Sequence, residues 1–139
     1  AKFLNMPYIK VYEVATFYSM YNLSPVGKYF VQVCTTTPCM IRGANYLVEA
    51  CKEKISKNEN ELSSNKNCSW MEVECLGACV TAPMMQINDD YYEDLDKEKS
   101  LEILDKILND EKPKPGSYRG RLNNQPENNR KTLTDFKNA

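Results

Sequence analysis

The sequence predicts an α/β fold in which one helix precedes a β-α-β unit and then a β-β-α unit. Two observations carry this prediction. Short aromatic and β-branched runs, typical of strands, alternate with stretches whose apolar residues recur at helical spacing. The chain has 139 residues, of which 42% are hydrophobic and 27% charged, which is close to the globular average and suffices for one core.

The first predicted element is a helix over residues 7–21. Its apolar residues recur at helical intervals: Val11, Val14, Phe17, Tyr18 and Tyr21. Pro7 suits the first turn of a helix, and the Pro-Val-Gly run at 25–27 suits its end. Because this helix begins almost at the first residue, we expect structure upstream of it to be missing from the sequence.

The β-α-β unit follows at residue 28. We predict a strand over residues 28–33 that ends at Cys34, and a second strand that runs from Trp70 to Cys75. A helix between them carries one apolar stripe: Ile41, Ala44, Val48, Cys51 and Ile55. Residues 56–67 are polar and are expected to form a surface loop.

The β-β-α unit completes the predicted domain at residues 27–110. Residues 84–87 and 91–92 flank an Asn-Asp-Asp run and are expected to form a hairpin, although the usual glycine of such turns is absent. Asp96 is placed to cap the last helix. Its expected inner stripe is Leu101, Leu104 and Leu108.

Residues 111–139 differ in composition from the rest of the chain. They hold 7 basic and 3 acidic side chains, whereas the whole chain has a net charge of -1. Proline, glycine and asparagine are frequent and large apolar residues are few, so this segment cannot form a core of its own. We expect an extended C-terminal arm that contacts other subunits and contributes neither a ligand nor a core residue, so that its removal leaves stability unchanged.

Composition excludes several classes of function. The chain contains no histidine, which rules out Ser-His-Asp and Cys-His catalysis and the histidine-containing zinc sites. No apolar stretch reaches the length of a membrane span and no signal peptide is readable, so we expect no direct membrane insertion. The basic arm lacks dense Lys/Arg runs with stacking aromatics, so we expect no binding to nucleic acid.

Four of the six cysteines form two close pairs, Cys34 with Cys39 and Cys75 with Cys79. Each pair follows a predicted strand, and parallel strands of a β-α-β unit end at the same edge of the sheet, so the four thiols are expected to converge. Four thiolates suit a 2Fe-2S cluster or a structural zinc. Gaps of four and three residues favour the cluster, since zinc ribbons prefer two, and the zinc site remains the alternative.

The other cysteines are simpler to interpret. Thioredoxin-type dithiol exchange requires C-x-x-C, which the sequence lacks. Cys51 lies on an apolar helix stripe and is expected in the core, and Cys68 follows the polar loop and is expected to take no part in the site.

The motifs together resemble one family, the thioredoxin-fold 2Fe-2S subunits of respiratory complex I. The matching segments are CTTTPC at 34–39, RGA at 42–44, ECLGACV at 74–80, AP at 82–83, EVATFYSM at 13–20, QINDDYYE at 86–93, and PKPG at 113–116 with GR at 120–121. The resemblance implies a thioredoxin-like 2Fe-2S ferredoxin domain with a cluster held by Cys34, Cys39, Cys75 and Cys79. It also implies that residues 1–26 are the remnant of the N-terminal helical bundle that such subunits carry. Such folds commonly have a cis proline before the hairpin, so we predict a cis Ala82–Pro83 bond.

The resemblance also implies a biological setting. The cluster would exchange one electron with FMN in a neighbouring flavoprotein subunit that oxidises NADH, next to a further iron-sulfur subunit. The chain would be an electron carrier that is not catalytic on its own. It would lie in the peripheral arm of complex I at the inner membrane, on the matrix side in mitochondria or the cytoplasmic side in bacteria. Similar subunits serve NAD-linked hydrogenases and formate dehydrogenases, and the PKPG arm favours complex I.

Overall fold

The computed structural model describes residues 1–122, and the predicted α/β fold is confirmed there. The helices are α1 (Tyr8–Phe17), α2 (Thr37–Ile41), α3 (Ala44–Lys54) and α4 (Lys97–Leu108), with a 3-10 turn at Cys79–Thr81. The strands are β1 (Tyr29–Cys34), β2 (Cys68–Val73), β3 (Met85–Ile87), β4 (Asp90–Glu93) and β5 (Gly116–Ser117). None of the helices in this part of the chain is long and apolar enough to cross a bilayer.

The five strands form one mixed sheet in the order β2-β1-β3-β4-β5. Strands β1 and β2 are parallel, which is the predicted β-α-β crossover, and β1, β3 and β4 are antiparallel neighbours. The predicted hairpin is also confirmed. Its turn contains Asn88 with a φ of 53°, a left-handed conformation that asparagine tolerates better than most residues, which explains how the turn forms without glycine.

The main core lies between one face of this sheet and helices α3 and α4. Val31 and Val33 alternate onto that face of β1, and their partners in register are Ile87 and Met85 of β3. Trp70 of β2 is 1% exposed, and its indole N–H donates to the Ser56 carbonyl over 2.8 Å. Burial of apolar surface by these strands and helices is the main stabilising term of the domain.

The helix between β1 and β2 is broken where continuous periodicity is predicted. Gly43 has a φ of 104° and separates α2 from α3. Because the chain turns at this glycine, Ile41 leaves the stripe and is 79% exposed, so its predicted burial is wrong. The rest of the stripe, from Ala44 to Ile55, is buried as predicted.

Helix α4 begins as predicted, since the Asp96 carboxylate accepts the Lys99 backbone N–H over 2.9 Å. Its predicted inner stripe is offset. Leu104 is buried as predicted, but Leu101 and Leu108 are only half-buried. The buried face consists of Ser100, Ile103, Leu104 and Ile107. The prediction considered only the leucines. Ile103 and Ile107 continue the helical spacing from Ser100, so the buried face runs through these isoleucines.

Helix α1 is shorter than predicted and buries none of its residues. It ends at Phe17, where the predicted helix continues to residue 21. Phe17 and Met20 are 80% and 78% exposed. The expectation that residues 1–26 are part of a larger helical bundle stays a prediction.

The C-terminal arm is attached to the domain, which corrects the expectation that it adds nothing to the core. Strand β5 pairs in parallel with β4, and Tyr118 packs against the main core. The Tyr118 backbone N–H donates to the Glu93 carbonyl over 3.0 Å. Composition hid this role because only a few residues of the arm make the contact. The boundaries at residues 26 and 110 stay predictions, and the rest of the arm, from residue 123 onward, lies outside the described residues.

Candidate metal centre

The two cysteine pairs lie at one edge of the sheet, as the predicted parallel strands led us to expect. Cys34 is the last residue of β1, and its partner in register is Val73, the last residue of β2. Cys39 lies in α2, while Cys75 follows the end of β2 by two residues and Cys79 opens the 3-10 turn. The parallel pairing of β1 and β2 therefore brings both loops to the same place.

The pairs differ in depth. Cys34 and Cys39 are 2% and 1% exposed and belong to a small apolar cluster together with Ala44, Ala78, Ala82 and Met84. Cys75 and Cys79 are exposed, and their Sγ atoms are 3.3 Å apart. One side of the site is thus closed by protein, and the other faces outward.

The environment of the free thiols follows this difference in depth. Burial, and secondarily a hydrogen bond with Cys34, raises the pKa of Cys39 to about 12. The Gly77 backbone N–H, 3.4 Å from Cys75 Sγ, lowers the pKa of that thiol because it stabilises the thiolate. Backbone donors of this kind also stabilise sulfur ligands in a metal site.

Side chains from other elements hold the two cysteine loops. The Thr36 hydroxyl donates to the Glu74 carboxylate over 3.0 Å and so joins the first loop to the second. The Tyr91 hydroxyl of β4 donates to the Leu76 carbonyl over 2.8 Å. Arg42 donates from Nε to the Ala82 carbonyl over 3.4 Å. The second loop is therefore held by groups on either side of it.

The two remaining cysteines, Cys51 and Cys68, lie in the main core and not among the apolar residues around Cys34 and Cys39. Cys51 is buried as predicted, and burial raises the pKa of its thiol to about 12. Cys68 begins β2 and is also fully buried, and burial raises its pKa to about 11. Both thiols therefore stay protonated at neutral pH and serve as small apolar residues.

The donor set fits a 2Fe-2S cluster. The four thiols stand as two pairs: the Cys75 and Cys79 Sγ atoms are 3.3 Å apart, and the Cys39 thiol is hydrogen-bonded with Cys34. Two irons bridged by sulfides need two thiolates each, which is the arrangement that two separate pairs can supply. The predicted cis Ala82–Pro83 bond, next to this site, is confirmed.

Comparison with known proteins decides the family. The family model described as "Thioredoxin-like [2Fe-2S] ferredoxin" matches residues 1–108. The chain belongs to the thioredoxin-like [2Fe-2S] ferredoxin family. Membership confirms both the predicted thioredoxin-like fold and the 2Fe-2S cluster as the cofactor of the domain.

Curated relatives are similar over most of the chain. The E subunit of NADH-quinone oxidoreductase from Rickettsia bellii is 56% identical over 110 residues, which cover 79% of this chain and 66% of that protein. The corresponding protein from Rickettsia prowazekii is 50% identical over 114 residues, covering 82% and 64%. The chain thus spans just under two thirds of the length of these relatives.

Solved structures show the same fold at low identity. A chain of an NAD+-reducing [NiFe]-hydrogenase in the H2-reduced state matches with a TM-score of 0.62 and 17% identity over 75% of this chain and 18% of that one. A thioredoxin-like [2Fe-2S] ferredoxin from Aquifex aeolicus matches with a TM-score of 0.50 and 22% identity, covering 68% and 97%.

Sequence reasoning missed the residues that support the cysteine loops from a distance. The Tyr91 hydroxyl donates to the carbonyl of Leu76, which lies 15 positions earlier in the chain. Arg121 donates to the carbonyl of Val80, which lies 41 positions earlier. No spacing rule links such positions. The one available signal is the GR motif at 120–121, which the resemblance includes but to which it assigns no role.

Proposed function

We propose that this chain is the electron-transfer subunit of NADH:quinone oxidoreductase, with a 2Fe-2S cluster on Cys34, Cys39, Cys75 and Cys79. The observation that carries the proposal is the meeting of two thiol pairs at one sheet edge. The relatives from Rickettsia, both named as the E subunit of NADH-quinone oxidoreductase, support the choice of parent complex. When bound, such a cluster takes up and releases one electron.

The residues of the chain would perform two tasks around the cluster. Cys34 and Cys39 would hold the buried side of the 2Fe-2S cluster, where the surrounding apolar side chains exclude water. Cys75 and Cys79 would hold its outer side, where a partner can approach closely. The hydrogen bond between Thr36 and Glu74 would keep the two loops in register, because each of these residues lies next to a ligand loop.

The partners follow from the proposed complex. We infer an NADH-oxidising flavoprotein subunit whose FMN exchanges one electron with this site, and an adjacent iron-sulfur subunit. Met40, Ile41 and Val80 flank the ligand loops and are 41%, 79% and 53% exposed, which suits a surface that a protein partner covers. The proposed location is the peripheral arm of the complex at the inner membrane, on the matrix or cytoplasmic side.

The test begins with the purified 139-residue chain. We expect a red-brown protein with two irons and two acid-labile sulfides per chain and an EPR signal on reduction. A colourless protein with bound zinc would identify a zinc-stabilised interaction module instead. A colourless metal-free protein that exchanges disulfides would identify a thiol oxidoreductase. Co-purification with a hydrogenase or formate dehydrogenase, and not with a quinone-linked flavoprotein, would assign a different parent enzyme.

Ligation is tested by single Cys→Ser variants. Replacing Cys34, Cys39, Cys75 or Cys79 should abolish the reduced-state EPR signal or change it strongly. Cys51→Ser and Cys68→Ser are matched controls, since they remove a thiol from the main core, and they should leave the EPR signal nearly unchanged. Loss of the cluster in a folded Cys51→Ser variant would contradict the assignment.

A further inference from the structure

The C-terminal arm brings a guanidinium group to the second cysteine loop. The Arg121 side chain is 9% exposed, and its Nη1 atom donates to the Val80 carbonyl over 3.2 Å. Val80 directly follows Cys79. Through Nη2 the same guanidinium contacts the Asp94 carboxylate at 2.7 Å. One planar group therefore joins the turn that carries Cys79 to the chain after β4.

Asp94 is fixed independently of Arg121. Its side chain is fully buried, and its second carboxylate oxygen accepts the Ser117 hydroxyl of β5 over 2.6 Å. The Asp94 backbone N–H donates to the Thr81 carbonyl over 2.7 Å. The residue thus binds the 3-10 turn through its backbone and the arm through its side chain, and it supplies a rigid anchor for the arginine.

The chemistry of the contact requires arginine. A guanidinium presents several N–H groups in one plane and can bind a carboxylate and a carbonyl at once, whereas an ammonium is a point charge with a shorter reach. Arg121 Nε is buried without a hydrogen-bond partner, so the side chain is held at its terminal nitrogens. Replacement of the arginine alone would leave the Asp94 carboxylate buried without its cation.

We propose that Arg121 is a positioning residue for the 2Fe-2S cluster, which fixes the Cys79 turn and balances the buried charge of Asp94 beside it. This inference rests on the ligand set proposed above. Two effects follow from it. The bond to Val80 limits opening of the turn and so slows loss of the cluster. The positive charge favours the reduced state, because the electron that enters the site adds negative charge.

The experiment compares variants of the cluster-loaded 139-residue chain. Arg121→Gln removes the charge and the paired contact, Arg121→Lys keeps the charge, and Asp94→Asn combined with Arg121→Gln removes both charges. Lys106→Gln is the matched control: it also removes one cation from an ion pair, with Glu102 on the exposed side of α4. The readouts are the midpoint potential from an EPR-monitored titration and the rate of iron release to a chelator, bathophenanthroline disulfonate.

We expect Arg121→Gln to lower the midpoint potential and to release iron at least about ten-fold faster, the scale of one lost charge-assisted hydrogen bond. The variant that combines Asp94→Asn with Arg121→Gln should have the midpoint potential of the wild-type chain. It should still release iron faster, because the Val80 carbonyl lacks the hydrogen bond from Arg121. Arg121→Lys should keep the potential and release iron faster than the wild-type chain. Lys106→Gln should change neither quantity.

Several outcomes would overturn the inference while the proposed function stands. If the wild-type chain holds the cluster and Arg121→Gln matches Lys106→Gln in both readouts, Arg121 does not position the site. A lower melting temperature with unchanged potential and iron release would mean a purely structural role. If Arg121→Gln does not fold, wild-type iron release from Arg121→Lys would refute the inference. A wild-type chain that holds no cluster refutes the proposed function itself.

Discussion

Gly27 allows the start of β1 to lie against the start of β2, and its replacement by alanine should be strongly destabilising. A Cβ atom at this position would lie 2.5 Å from the Asn67 carbonyl oxygen and 2.7 Å from the carbonyl carbons of Asn67 and Cys68. These neighbours are backbone atoms and cannot rotate away. The same Asn67 oxygen accepts the Tyr29 backbone N–H over 2.8 Å, so a shift of either chain also breaks this hydrogen bond.

The magnitude follows from these two contributions. Overpacking against fixed backbone costs about 1–3 kcal/mol, and one lost backbone hydrogen bond costs about 1 kcal/mol. We therefore expect Gly27→Ala to lower the free energy of unfolding by about 2–4 kcal/mol. For a domain of this size, 1 kcal/mol corresponds to about 4 °C, so the melting temperature should fall by about 8–16 °C.

The assay is thermal unfolding of the full chain followed by circular dichroism, with Gly120→Ala as the matched control. Gly120 has a φ of 74°, and among residues 1–122 no atom beyond its chain neighbours lies within 4 Å of the position of a Cβ, so alanine there costs mainly the strain of a left-handed backbone, about 1–2 kcal/mol. A melting temperature for Gly27→Ala that equals or exceeds that of Gly120→Ala would refute the argument from close approach.

Two further predictions concern charged groups. Deletion of residues 113–139 should lower the free energy of unfolding by about 2–5 kcal/mol, because the Asp94 carboxylate loses both side-chain partners, Arg121 and Ser117, and Tyr118 leaves the main core. Asp94→Asn in the deleted chain should restore part of the loss, and an unchanged melting temperature would show that the arm is a passive extension. Hydrogen bonds from Lys28 and Tyr29 hold the pKa of Asp110 below its ordinary value of 3.8. The stability that these hydrogen bonds contribute should be complete above the unfolded pKa of Asp110 and lost as pH falls through its folded pKa. The free energy of unfolding of Asp110→Asn should therefore fall less steeply with decreasing pH than that of the wild-type chain. Parallel pH profiles of the two proteins would contradict this prediction.

The arrangement of the cysteines could be predicted from sequence because it depends on local rules. Strand propensity places Cys34 and Cys75 at or just after strand ends, and the right-handed β-α-β crossover brings those ends to one edge. The Asp96 cap is equally local, since the carboxylate and the N–H that it accepts are three residues apart. Such features require no knowledge of distant contacts.

The features that could not be predicted depend on long-range contacts or on one backbone angle. Arg121 and Asp94 are separated by 27 positions, and neither lies in a pattern that marks a buried ion pair. The break at Gly43 follows from a left-handed φ, which a count of apolar positions cannot reveal. Ile41 shows the consequence, because its spacing fits the stripe while its side chain lies in solvent.

The outer strands of the sheet have a consequence for self-association. Exposed strand edges act as templates for pairing with other chains. On one side, β5 covers β4 and offers only two residues of its own. On the other side, the polar loop at 56–67 runs beside β2: the Asn60 and Ser63 backbone N–H groups donate to the Trp70 and Cys68 carbonyls, each over 2.8 Å. Both edges are thereby shortened or occupied within the chain itself, which protects a sheet rich in aromatic and β-branched residues from aggregation through its edges.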